Sequence, residues 1–230
     1  MKILWIMLVS IVSFSTIKGE EPKPVEAIVF DFGGVMAKWK TDRLVIFREM
    51  CRLFDESPEA VRPAFKENID LLMSGFVSDE QFWESFAGKL DKPLPKEWMD
   101  YWENQFINTL TFNEPLIEML GDLKKEGYIV ALLSNVFPAH AKALQSAGYY
   151  KNFDPLILSC DVKMQKPDPE IFKYMIDQVG KPPHAILYID DREENIEAAK
   201  KLGMQTFLFS YDRESGDVLL ERLRLLTRSP

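Results

Sequence analysis

Four short groups of residues hold most of the chemistry available to this sequence. They are Asp31-Phe32-Gly33-Gly34, Ser134-Asn135, Lys166-Pro167-Asp168-Pro169 and Asp190-Asp191. An ionised carboxylate such as Asp31 can attack an electrophile and carry a covalent intermediate; on phosphorus that intermediate is an acyl phosphate. Gathering Asp31, Asp190 and Asp191 at one point is electrostatically costly, and a hard divalent cation is the usual compensation. Mg²⁺ suits carboxylates together with a backbone carbonyl, which Gly33 can supply. Charge on a transferring phosphoryl group would be met by Lys166, by the Ser134 hydroxyl and by backbone N–H groups. The candidate catalytic residues are therefore Asp31 and Lys166. Ser134, Asn135 and Gly34 are the candidate substrate-binding residues, and Asp31, Gly33, Asp190 and Asp191 the candidate metal ligands. Each group alone also has a plain explanation: Asp31 as a turn residue, Ser134-Asn135 as a helix start, Asp190-Asp191 as a complement to a helix dipole, Lys166 as a solvated lysine.

The groups gain weight from what precedes them. Short apolar runs at Ala27 to Phe30, Tyr128 to Leu133, Pro155 to Leu158 and Ala185 to Ile189 come before them, with a fifth at Gln205 to Phe209. Segments of helical length separate the later runs. In Glu114 to Glu126, Leu116, Ile117, Leu120 and Leu123 fall on one face, with Asn113 as N-cap and Gly127 as the stop. Gly148, Gly180 and Gly203 close the next helical segments. This alternation predicts an α/β fold: a doubly wound parallel sheet, whose strand ends should converge at one rim. Between the first run and Asn113 no convincing strand is read. Thr41, Ser57-Pro58 and Ser78 with Gln81 look like helix caps there, which predicts a helical-bundle cap at 41–111 inserted into a core of 20–40 and 112–230. Trp83, Trp98, Tyr101 and Trp102 are expected to form the core of that bundle.

Composition narrows the function classes. Among 230 residues, 47% are hydrophobic, 28 are basic and 36 acidic, giving a net charge of −8. Such a balance disfavours nucleic acid and anionic lipid as partners, and a small metabolite is the better expectation. Two cysteines and two histidines argue against a Cys- or His-rich metal site. Cys51 and Cys160 are expected as buried free thiols rather than a disulfide. Residues 1–19 show the charged, apolar and small-residue zones of a secretory signal, which predicts export to the periplasm or medium, with a membrane anchor as the alternative. No stable membrane span is expected after cleavage.

Ile28 to Val35, Leu132 to Asn135, Lys166 to Phe172 and Tyr188 to Ile196 resemble, in order, the four motifs of the haloacid dehalogenase-like hydrolases. The resemblance spans about Val25 to Phe209 and is nearest the sugar-phosphatase branch and the phosphatase domain of soluble epoxide hydrolases. It implies a Rossmann-like core with a helical cap between the first two motifs, a small phosphorylated metabolite as substrate, and Mg²⁺. By it, Asp31 resembles the nucleophile, Ser134 the phosphate-binding hydroxyl, Lys166 the lysine that steadies both, and Asp190 with Asp191 the metal-binding acids. Asn195 resembles a residue supporting them.

Two positions depart from the pattern. Most phosphatases of this kind carry a second Asp two residues after the nucleophile, as general acid and base; here Gly33 stands there. Such an acid is worth roughly 10²- to 10⁴-fold, so poor leaving groups should suffer most. Lys163 stands where Gly is usual before the Lys-Pro motif, and is expected to face solvent. The leading reading is a Mg²⁺-dependent phosphatase. A weak or inactive anion-binding protein and a metal-free carbon–halogen hydrolase are the alternatives. Lys38, Trp39, Lys40 and Arg43, after the nucleophile, are expected to meet the leaving group or merely to pack and solvate the hinge.

Overall fold

The chain was analysed as a computed structural model that describes residues 24–40 and 44–227. The expected signal at 1–19, the cap residue Thr41 and Arg43 lie outside the described residues.

The central layer is a five-stranded, all-parallel sheet. Its strands are β1 (Ala27–Phe30), β4 (Ile129–Ser134), β5 (Leu156–Leu158), β6 (Ile186–Asp190) and β7 (Gln205–Leu208), in the order β5-β4-β1-β6-β7. β1 lies in the middle, with Phe30 registered against Leu132 on one side and Ile189 on the other. Strand side chains alternate between two apolar layers, as a period of two requires. Ile28, Phe30, Val130 and Leu132 pack with Leu116, Leu120 and Leu123 of α6 (Glu114–Lys125), Leu144 of α7 (Pro138–Ser146) and Leu219 and Leu223 of α11 (Gly216–Thr227). Ala27, Val29, Ala131 and Leu133 face the other way. They pack with Ile171, Phe172 and Met175 of α9 (Pro169–Val179) and with Ile196 and Ala199 of α10 (Glu193–Lys201). The doubly wound sheet expected from strand and helix alternation is thus the one observed. Asn113 sits at the α6 N-cap position but makes no side-chain cap bond there.

Between β1 and α6 come helices α1 (Val45–Phe54), α2 (Pro58–Lys66), α3 (Ile69–Met73), α4 (Asp79–Lys89) and α5 (Lys96–Asp100), followed by single turns of π- and 3₁₀-helix through Thr109. Ser57 caps α2 through the Ala60 N–H, and Ser78 with Gln81 closes a full capping box on α4, at 3.1 and 3.0 Å. The insert has its own apolar centre. Trp83, Trp98 and Trp102 are almost wholly buried, with Trp83 centroids 4.7 and 4.9 Å from the other two, while Tyr101 is half-buried.

One element has no counterpart among the sequence expectations. β2 (Ala37–Trp39) and β3 (Leu110–Phe112) pair antiparallel, so the chain enters and leaves the helices as a two-stranded ribbon. The insert also touches the core through polar links. Asp79 accepts from the Ala139 N–H at 3.0 Å, at the start of α7, and from Trp102 Nε1 at 2.5 Å. Ser159, in the short helix α8 (Ser159–Val162), donates to the Met73 carbonyl at 2.7 Å. Gly75, at φ +65°, lies so close to the Cys160 carbonyl that a Cβ there would come within 1.9 Å of it. Cys51 and Cys160 are both unpaired thiols, and burial pushes Cys160 up to about 12. Among the described residues no helix is long and apolar enough to cross a membrane.

Candidate active site

Because the sheet is parallel, the residues after β1, β4 and β6 meet at one edge. Asp31 follows β1, Ser134 ends β4 and Asp190 ends β6; the loop between α8 and α9 brings Lys166 to the same point. Lys166 Nζ lies 2.8 Å from Asp31 Oδ1 and 2.8 Å from Asp190 Oδ2, with all three side chains nearly sealed from solvent. Carboxylate oxygens of Asp31, Asp190 and Asp191 lie within 4.8 Å of one another. Asp31, Gly33, Gly34, Ser134, Asn135, Lys166 and Asp191 all line one cavity of about 210 Å³, so the residues singled out by spacing are assembled in space.

Asp190 is the most heavily held of the acids. Its oxygens accept from Lys166 Nζ, from Asn195 Nδ2 at 3.0 Å to each, from the Arg192 N–H at 2.8 Å and from the Tyr188 hydroxyl. Burial works to raise its pKa, but Lys166 and these donors outweigh it and hold Asp190 below the ordinary carboxylate range. Burial likewise works against the Lys166 ammonium; Asp31 and Asp190 overcome it and hold that group above its usual value. Asp31 is the exception: burial, reinforced by Asp190 and Asp191, pushes it up to about 7 despite Lys166. With all three carboxylates ionised, the one ammonium leaves the cluster two charges negative, which is the deficit a divalent cation corrects. The donor set, all oxygen, fits Mg²⁺ on the same ground.

Two of the expected substrate-binding residues line the cavity but have other partners. Gly34 was expected to bind substrate, but its N–H donates to the Ala37 carbonyl at 2.7 Å. What it provides is space: φ is +82°, and a Cβ would fall 2.4 Å from the Asp191 carboxylate. Asn135 was expected at the substrate too, yet both ends of its amide are used by the Lys166 backbone, Nδ2 donating to the carbonyl and Oδ1 accepting from the N–H, each at 2.9 Å. It positions the lysine loop. Asn195 supports the acids as its resemblance implied. Lys163 is exposed, as expected, with φ +57° and its ammonium 5.6 Å above the Phe76 ring. That left-handed backbone explains why glycine is usual there.

Sequence reasoning overlooked Tyr188, although its place two residues before Asp190 puts both side chains on one face of β6. Tyr150 and Phe106, which line the cavity, were missed as well. Nothing in the local sequence marks them, because they reach the site only through folding.

The fold and this edge define an α/β protein with an inserted helical segment and a carboxylate–lysine site at the carboxyl ends of its strands. Comparison with known proteins gives the family: the haloacid dehalogenase-like hydrolase profile matches residues 28–209, and the chain belongs to that family. It is 29% identical to a D-ribitol-5-phosphate phosphatase of Bacteroides thetaiotaomicron over 195 residues, 80% of this chain and 91% of that one. It is also 29% identical to bifunctional epoxide hydrolase 2 of Rattus norvegicus over 110 residues, 46% of this chain, and that match spans only 20% of the relative's length. A haloacid dehalogenase family enzyme from Bacteroides thetaiotaomicron, solved with magnesium, superposes with a TM-score of 0.74 at 22% identity, covering 86% of this chain and 99% of that one. Another structure of it holds magnesium and inorganic phosphate, with a TM-score of 0.70 at 22% identity, covering 84% and 98%.

Proposed function

We propose that this hydrolase is a Mg²⁺-dependent phosphatase of small phosphomonoesters, acting through an aspartyl phosphate on Asp31. The observation that carries the reading is the Asp31 carboxylate in the cavity wall, 2.8 Å from Lys166 and grouped with Asp190 and Asp191. The phosphatase relative and the magnesium-bound structural neighbours point the same way.

An Asp31 oxygen bonds to phosphorus while the ester P–O bond breaks, and its electron pair leaves with the alcohol oxygen. Water then attacks the acyl phosphate, restoring Asp31 and releasing inorganic phosphate; the water's protons balance the alcohol and the phosphate. Lys166 orients Asp31 and faces the phosphoryl charge, and the Ser134 hydroxyl binds a phosphoryl oxygen. Asn135 and Asn195 fix the lysine loop and Asp190. Asp31, Asp191 and the Gly33 carbonyl would hold the ion, with Asp190 adding charge behind them. When bound, Mg²⁺ supplies positive charge against the phosphoryl oxygens.

The test is phosphate release from a panel of phosphomonoesters, with and without Mg²⁺, beside Asp31→Asn. Turnover should need the metal and fall by at least about 10³-fold in the variant. Chelator-resistant hydrolysis, or halide release from 2-haloacids without metal, would reject the reading.

A further inference from the structure

The cavity at Asp31 has two unlike halves. Asp31, Ser134, Lys166 and Asp191 make one; Trp39, Phe106, Leu110, Val136, Leu144 and the Tyr150 ring make the other, apolar one. The cavity's 210 Å³ is below the roughly 300–1,000 Å³ of sites for larger ligands, so the group beyond the phosphate is compact. Trp39 and Phe106 meet edge to face with centroids 6.0 Å apart, which puts an aromatic edge in the lining.

Most polar side chains of the same lining already have partners; the Tyr150 hydroxyl and Asn195 Oδ1, both buried, do not. Lys38 Nζ donates to the Tyr211 carbonyl at 3.3 Å and lies 4.3 Å from the centre of its ring. Asn135 is spent on the Lys166 backbone, Arg192 Nε on Glu194 at 2.8 Å, and Asn195 Nδ2 on Asp190. A polyol against this wall would lose water from several hydroxyls and find only those two unpartnered groups, both buried, in return. Gly33 adds a second constraint. No carboxylic acid stands there to protonate a departing alkoxide, although a Cβ would meet nothing within 4 Å. A leaving oxygen that needs no such help has a low pKa, as a phenol does at about 10.

From the apolar wall and the missing acid together, we propose that the substrate is an aryl phosphate monoester, the ester of a phenol-type hydroxyl on a compact apolar ring. This rests on the phosphatase reading above. The bond from phosphorus to the aryl oxygen breaks as Asp31 bonds to phosphorus, and the phenolate takes its proton from water.

The deciding experiment measures kcat/KM of the Mg²⁺-loaded full chain on phenyl phosphate, benzyl phosphate and ribitol 5-phosphate, with Asp31→Asn as the blank. Phenyl phosphate should exceed ribitol 5-phosphate by at least about tenfold, with benzyl phosphate between them. Gly33→Asp should narrow the gap between the two aromatic esters, raising benzyl turnover by about tenfold. Trp39→Leu should raise KM for both aromatic esters by about tenfold with a smaller change in kcat. If that variant fails to fold, the wild-type order decides alone. A phenyl-to-ribitol ratio below about ten, with both activities lost in Asp31→Asn, overturns the aryl assignment and leaves the phosphatase intact. Metal-dependent turnover of none of the three overturns both.

Discussion

The rim of the parallel sheet and the helical insert are stabilised in opposite ways. At the rim, charged groups are buried and each is held by specific partners: Lys166 between two carboxylates, Asp190 by donors from four residues. In the insert the buried centre is aromatic, with Trp83 in ring contact with Phe65, Phe82, Phe86, Trp98 and Trp102. Removing a partner from the first leaves an uncompensated charge, whereas removing a ring from the second leaves a void. Function should therefore be fragile at the rim, and stability in the insert.

The sharpest break of that contrast is Asp31→Asn. It should abolish turnover yet leave unfolding in urea no easier, because it removes one of three crowded carboxylates; a large loss of stability would mean that the rim also carries the fold. Trp83→Ala should do the reverse, costing about 3–5 kcal/mol in denaturant unfolding while hydrolase activity survives at temperatures where the variant stays folded. Acid probes the seam between the regions. His140 lies against Phe106 and Trp102, and burial holds its pKa down to about 3. The unfolded chain takes up that proton near 6.5, so it binds more protons between those values and stability must fall with pH through that window. At pH 5 the loss attributable to His140 is about 2 kcal/mol, and His140→Leu should remove that part of the slope in paired urea titrations at pH 7 and 5. Asp79→Ala, which frees the Ala139 N–H and Trp102 Nε1, should cost about 1–3 kcal/mol with little change in kcat. Lys163→Gly should be the mildest: relief of the left-handed backbone and loss of the Phe76 contact offset each other to within about 1 kcal/mol by thermal melting.

The middle of the sheet was legible because β1, β4 and β6 are short apolar runs followed at once by a group with distinctive chemistry, and β1 was read at its observed limits, Ala27–Phe30. The cap signals Ser57-Pro58 and Ser78 with Gln81 are local, and they too could be read from the chain. The β2–β3 ribbon was not: two three-residue strands pair across the whole insert, and only the folded chain brings Ala37 opposite Phe112. The roles of Gly34 and Asn135 were hidden for a related reason. A residue type says what bonds are possible, not which backbone group will arrive to take them. Asp31, Lys166, Asp190 and Asp191 escaped that limit because charges of opposite sign must find one another once buried.

The ribbon makes one joint of both crossings between core and helices. Lys38 and Trp39 belong to β2 and Leu110 to β3, and all three also line the cavity. Swinging the helices outward would carry that wall along, so admission of a molecule and judgement of its shape are a single mechanical event. Stiffening the joint would slow exchange with the outside, and slackening it would blur discrimination between ligands.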